Sequence, residues 1–124
     1  MSIKPLVFIL LFTAYSSYSI FTYTSGTKAP INAPFADALA TKGKLLFQQK
    51  NCIACHQIYG LGGYLGPDLT YEMSQPTKGR TYAIAILTAG LNKMPNYHLK
   101  QDETDALIAY LTYIDNTARF FNNN

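Results

Sequence analysis

Cys52-Ile53-Ala54-Cys55-His56 sets two nucleophilic thiols and an imidazole at a fixed short spacing. On one turn of chain, each thiol can add to one of the two vinyl groups of a single porphyrin, and the next residue then offers its ring nitrogen to the iron. C-x-x-C-H is the attachment signature of c-type haem. A thioredoxin-like dithiol would need a βαβ setting and has no use for the histidine. A zinc site from Cys52, Cys55, His56 and His98 would force neighbours in sequence to be tetrahedral partners, and the usual second His pair is missing. The residues therefore predict one covalently attached haem c, held by Cys52 and Cys55, with His56 as an iron ligand.

Iron that transfers electrons without binding oxygen needs a second axial ligand, commonly a Met thioether. Met94, in Lys93-Met94-Pro95, is the expected one. It lies far enough downstream for the chain to have wrapped the ring, and Pro95 restricts the backbone beside it. His98 would instead give a bis-His site, Met73 would pack against the ring, and an open iron would suit a small haem enzyme or gas sensor. No distal acid–base pair is visible for the last reading. An apolar pocket of Ile53, Leu61, Leu65, Leu69, Tyr97 and the helix stripes would disfavour the extra charge of ferric iron and raise its potential.

Several elements must position these groups. A chain of 124 residues has room for one compact domain and an appended segment. Residues 5–23 carry no charge and are long enough to cross a bilayer as a helix. A cleaved signal peptide is the alternative, which would make the protein a diffusible periplasmic shuttle. The apolar run continues through Ile20, Phe21 and Tyr23 with no A-x-A-like site after it, so a retained anchor is expected. Lys4 then places the N-terminus in the cytoplasm and the rest on the periplasmic side. Residues 24–34, with Pro30 and Pro34, read as a linker, and residues 35–121 as the haem domain.

Within that domain, residues 36–50 show helical spacing of Leu39, Leu46 and Phe47. Residues 57–70 hold four glycines and Pro67, which forbid a long helix or strand and predict a shaped loop. Residues 81–89 are apolar all round and stop at Gly90, and residues 102–114 carry the stripe Leu107, Ile108, Leu111 and Ile114. Asp102 is the expected cap of this last helix, and the tail from Phe120 is expected to fray. No segment has a strand period, so the fold class is all-α with long loops, preceded by one N-terminal transmembrane helix. The net charge of +3 is spread along the chain, which excludes nucleic acid as a partner.

These residues resemble class I cytochrome c, in which an N-terminal helix bearing G-x-x-x-[FY] crosses the C-terminal helix. Gly43-Lys44-Leu45-Leu46-Phe47 fits that pattern, with Leu107, Tyr110 and Leu111 as the implied receiving face. A closer resemblance is to the membrane-anchored small cytochrome c subunit of nitric oxide reductase and to related subunits of haem-copper oxidases. It is carried by residues 43–47, 52–57, the loop 60–70 ending in Gly66-Pro67-Asp68-Leu69-Thr70, Met94-Pro95-Asn96-Tyr97, and the final helix. The resemblance implies an electron carrier rather than an enzyme in its own right, fed by an upstream donor and delivering to an integral catalytic subunit. It also implies that the Pro67 carbonyl accepts a hydrogen bond from the His56 ring. Lys100 stands where such proteins often have Ser or Thr.

Overall fold

The computed structural model describes residues 3–26, 34, 36–91 and 93–123, in two units, Met1–Ala33 and Pro34–Asn124. In the first unit, α1 (Ile3–Phe21) runs on as a π-helical turn, Thr22–Gly26. The stretch Ile3–Gly26 is long and apolar enough to cross a membrane, with none of its apolar window buried inside the protein. Its threonine hydroxyls return to the helix: Thr13 donates to the Ile9 carbonyl, Thr22 to Tyr18 and Thr24 to Ile20. Polar groups satisfied within the segment are what a hydrocarbon surrounding demands. Of the expected linker, residues 27–33 lie outside the described residues, as does Phe35.

In the second unit, α2 (Ala38–Gln49) starts where Asp37 Oδ1 accepts from the Ala40 N–H at 2.7 Å, a cap worth about 1 kcal/mol. The cap, rather than the apolar period, decides this start. The helix buries Ala40, Gly43, Leu46 and Phe47. Leu39, expected on that face, is turned away and 44% exposed. The last helix, α4, spans Gln101–Asn122 and packs on α2. At the crossing, a Cβ on Gly43 would strike the Ala106 carbonyl and lie 2.8 Å from Tyr110 Cβ, so only glycine lets the backbones approach this closely. Phe47 and Tyr110 meet edge to face, centroids 5.6 Å apart, adding about 0.5–1.5 kcal/mol beyond their buried area. Leu46, Phe47, Ile58, Leu107 and Ile114 form the core beside them.

Both ends of α4 depart from expectation. The Lys100 N–H is taken by Glu103 Oε2 at 2.8 Å, so Glu103 caps the helix, while Asp102 pairs with Lys42 on the surface at 2.8 Å. The helix also runs past 114 to Asn122 instead of fraying. Asp115, 1% exposed, accepts from the Ser74 N–H and from Arg119 Nε, each at 2.6 Å. Asn122 Nδ2 donates to Tyr71 Oη at 2.7 Å. Those partners sit in the loop before α3 (Gly79–Ala89), where helical periodicity cannot reveal them.

The long loop holds a hairpin that the sequence did not predict. β1 (Gln57–Ile58) and β2 (Leu61–Gly62) pair antiparallel, Gln57 opposite Gly62 and Ile58 opposite Leu61. Tyr59 and Gly60 turn the chain at φ 55° and 74°, the two left-handed residues of a tight hairpin. Strands of two residues are too short to leave a period of two in the sequence.

Candidate functional site

The cysteine turn is built by the end of α2. Asn51 takes a left-handed conformation (φ 56°, ψ 35°) and turns the chain into a short 3-10 helix, Cys52–Ala54. The Cys52 carbonyl then accepts from the N–H groups of Cys55 (3.1 Å) and His56 (2.9 Å). Both cysteines are free, partly buried thiols. Burial, joined by the nearby Cys55, pushes the Cys52 thiol up from its ordinary value, which keeps it protonated at neutral pH.

The glycine-rich loop is fastened to this turn by its main chain. Gly63 N–H donates to Ile53 O (2.9 Å), Gly66 N–H to Cys55 O (2.7 Å) and Leu69 N–H to Gln57 O (2.9 Å). Asp68 closes the base of the hairpin, accepting from the Thr70 N–H at 2.7 Å and the Gly60 N–H at 3.2 Å. Burial works against its charge, but the hydrogen bonds from Thr70 and Gly60 prevail and hold the carboxyl below the usual carboxylate range.

This fastening places the Pro67 carbonyl 2.9 Å from His56 Nδ1. A carbonyl can only accept, so Nδ1 carries the proton and Nε2 keeps the lone pair that a metal needs. Gly66 makes room for the ring: a Cβ there would lie 2.5 Å from His56 Cε1 and 2.6 Å from Nδ1.

Cys52, Cys55, His56 and Met94 all line one cavity of about 370 Å³. Leu69, Ala83, Leu87, Leu107 and Leu111 give it an apolar wall, and Leu65 and Leu91, 62% and 53% exposed, stand at its rim. Met94 is fixed by a turn in which Leu91 and Met94 exchange main-chain hydrogen bonds of 3.1 and 2.6 Å. Burial pushes the hydroxyl of Tyr97, on the same wall, up from its ordinary value. Two free thiols, a nitrogen donor of fixed tautomer and a soft thioether on one apolar cavity are the donor set that suits an iron porphyrin.

The other candidates fall elsewhere. Met73 and His98 are not among the residues lining the cavity. His98 is held at φ 49° with its N–H donating to Asn96 Oδ1 at 2.8 Å. Ile53 and Leu61, expected in the pocket wall, are also outside it, since the hairpin carries Leu61 into solvent at 73% exposure. Among the described residues, no group of three or more His, Cys, Asp or Glu side chains is arranged to hold a metal ion. Sequence reading missed Tyr82 and Ile86 of α3 and Glu72 as parts of the wall. The all-round apolar character of α3 was the available signal for the first two, because such a helix must be covered on more than one side. Glu72 carried no signal.

Residues 38–111 match the family model for cytochrome c oxidase, cbb3-type, subunit III. Among curated proteins, the chain is similar to the C subunit of nitric oxide reductase from Halomonas halodenitrificans, 28% identical in an alignment 122 positions long, gaps included, that covers 89% of this chain and 79% of that protein.

Proposed function

The chain belongs to the family of cbb3-type cytochrome c oxidase subunit III, and from that premise we propose that it is a membrane-anchored electron carrier whose single haem c is attached through Cys52 and Cys55 and ligated by His56 and Met94. The observation that carries this reading is the meeting of those four side chains on one apolar cavity, with His56 already oriented by Pro67 O. When bound, the haem supplies a reversible one-electron iron couple. The protein supplies the rest. Cys52 and Cys55 would hold the porphyrin as thioethers, each thiol S–H adding across one vinyl double bond, which would need no oxidant. The Pro67 hydrogen bond holds the imidazole in one tautomer and orientation. Met94, held by its closed turn and by Pro95, would hold the iron together with His56 and leave no site there for oxygen. Apolar walls disfavour the additional charge of the oxidised state and raise the potential.

A haem staple also answers a size problem, because a unit of roughly 90 residues buries a marginal core. The segment Ile3–Gly26 anchors the domain, with Lys4 on the cytoplasmic side and the haem domain in the periplasm. Tethering raises the local concentration of the carrier at its acceptor, so a large docking interface is unnecessary. The acceptor is the integral catalytic subunit of a haem-copper oxidase or nitric oxide reductase, as the name of the relative suggests.

The test is expression with c-type maturation, membrane fractionation and acid–acetone extraction of the purified chain. Pigment should stay with the polypeptide, in the membrane fraction. Met94→Ala should lose the sulfur-to-iron charge-transfer absorption of the oxidised protein, while Met73→Ala keeps it. Complete extraction of the pigment, or native iron ligation in Met94→Ala, would refute the assignment.

A further inference from the structure

Residues 51–67 contain no Asp, Glu, Lys or Arg, yet they carry the most exposed large apolar side chains among the described residues of the second unit. Tyr64 is 86% exposed, and Leu61 and Leu65 follow it. Ile53 of the cysteine turn adjoins them, its Cδ1 coming within 3.0 Å of where a Cβ on Gly62 would stand. The fold holds these groups firmly in water. Hydrogen bonds from Gly63 N–H to Ile53 O (2.9 Å) and from Gly66 N–H to Cys55 O (2.7 Å) bracket Tyr64 and Leu65, and the hairpin pairs Leu61 with Ile58. A face ordered in advance spares a partner the entropy of ordering it on contact. Tyr64, Leu61 and Leu65 together present about 300 Å² of apolar and aromatic side chain, the scale at which a surface patch marks a contact.

We propose that this face is covered by the integral catalytic subunit, in a lasting apolar contact rather than a charge-steered encounter. The inference rests on the electron-carrier reading above and names the surface on which the acceptor sits. The two bracketing hydrogen bonds end on the carbonyls of Ile53 and Cys55, so a protein seated on Tyr64 and Leu65 lies close to the turn that bears the haem-attaching thiols. A diffusing donor is steered by charge, and this stretch has none. The centres of lasting interfaces are poor in charge and rich in aromatic groups, which matches it. The patch is smaller than the roughly 800 Å² per partner of a free-standing complex. It therefore suits a partner that the membrane anchor already keeps near. A bilayer surface draws apolar segments that also carry Lys or Arg, and residues 51–67 have neither.

Photocrosslinking in native membranes tests this. Tyr64 of the haem-loaded, full-length chain is replaced by p-benzoylphenylalanine, and after illumination peptide mass spectrometry should find it joined to an integral haem-copper oxidase or nitric oxide reductase subunit. Crosslinks only to lipid, to a second copy of this chain or to a soluble donor would overturn the proposal. So would a probe that joins nothing while the chain still co-purifies with the catalytic subunit, an outcome that leaves the electron-carrier reading standing. Independently, Leu61→Asp and Tyr64→Asp, both outside the cavity lining, should keep the haem absorption and lower co-purification of the catalytic subunit about tenfold or more. Wild type should stay associated in about 1 M salt, where charges are screened beyond roughly 3 Å. Release of wild type by salt, or aspartate variants retained as well as wild type, would overturn the apolar contact. A haem-loaded wild type that co-purifies with no catalytic subunit overturns the acceptor assignment too.

Discussion

Replacing Gly66 by alanine probes the seat of the His56 ring. The added methyl would lie 2.5 Å from Cε1 and 2.6 Å from Nδ1, against an optimal separation of about 3.5–4.0 Å. The ring must retreat by about 1 Å to restore it. Since Nδ1 stands 2.9 Å from Pro67 O, a retreat of that size takes the pair beyond hydrogen-bonding reach. Overpacking of this kind costs about 1–3 kcal/mol. Loss of a bond that orients a metal ligand lowers metal affinity about 10–100-fold, or roughly 1.4–2.8 kcal/mol. The haem-loaded Gly66→Ala protein should therefore be less stable by about 2–6 kcal/mol. Gly60→Ala is the control, because its Cβ would meet nothing within 4 Å while its φ of +74° imposes a torsional cost of about 1–2 kcal/mol. Guanidinium unfolding followed at the main haem absorption band compares the two. Gly66→Ala should lose more stability, and only it should alter the absorption of the folded protein. If Gly66→Ala loses no more than Gly60→Ala and keeps its spectrum, the imidazole does not sit against this loop as described.

Asp115→Ala strips the Ser74 N–H of its buried acceptor and Arg119 of its partner, and should cost about 1–3 kcal/mol, with Asp115→Asn losing less; an unmoved denaturation midpoint in Asp115→Ala would show that the end of α4 is held by other contacts. The Asp68 carboxyl is held below its ordinary range by Thr70 and Gly60, so its stabilising contribution is complete above an unfolded-state value of about 3.9 and drains away as pH falls through the lower folded-state value. Asp68→Asn should accordingly be less stable than wild type at neutral pH, and the gap should narrow in acid; midpoints measured at both extremes that differ equally would contradict the role given to its charge.

What this sequence determined by itself is what lies within a few residues along the chain. C-x-x-C-H fixes two thiols and an imidazole on one turn whatever surrounds them, residues 5–23 are apolar at any position in space, and Gly43 with Phe47 announces a close helix crossing. Tertiary structure decided whatever depends on contacts between distant segments. That Leu69 and Leu87 face the cavity while Leu61 faces water follows from how the loop folds back on the cysteine turn. That α4 reaches Asn122 follows from Ser74 and Tyr71, far away in sequence. The cap fell to Glu103 because the helix starts at Gln101, which makes Glu103 the third helical residue, within reach of the Lys100 N–H, and leaves Asp102 inside the first turn, free to pair with Lys42. Burial of Glu72 left no trace in the sequence, because a side chain becomes interior only through what packs around it.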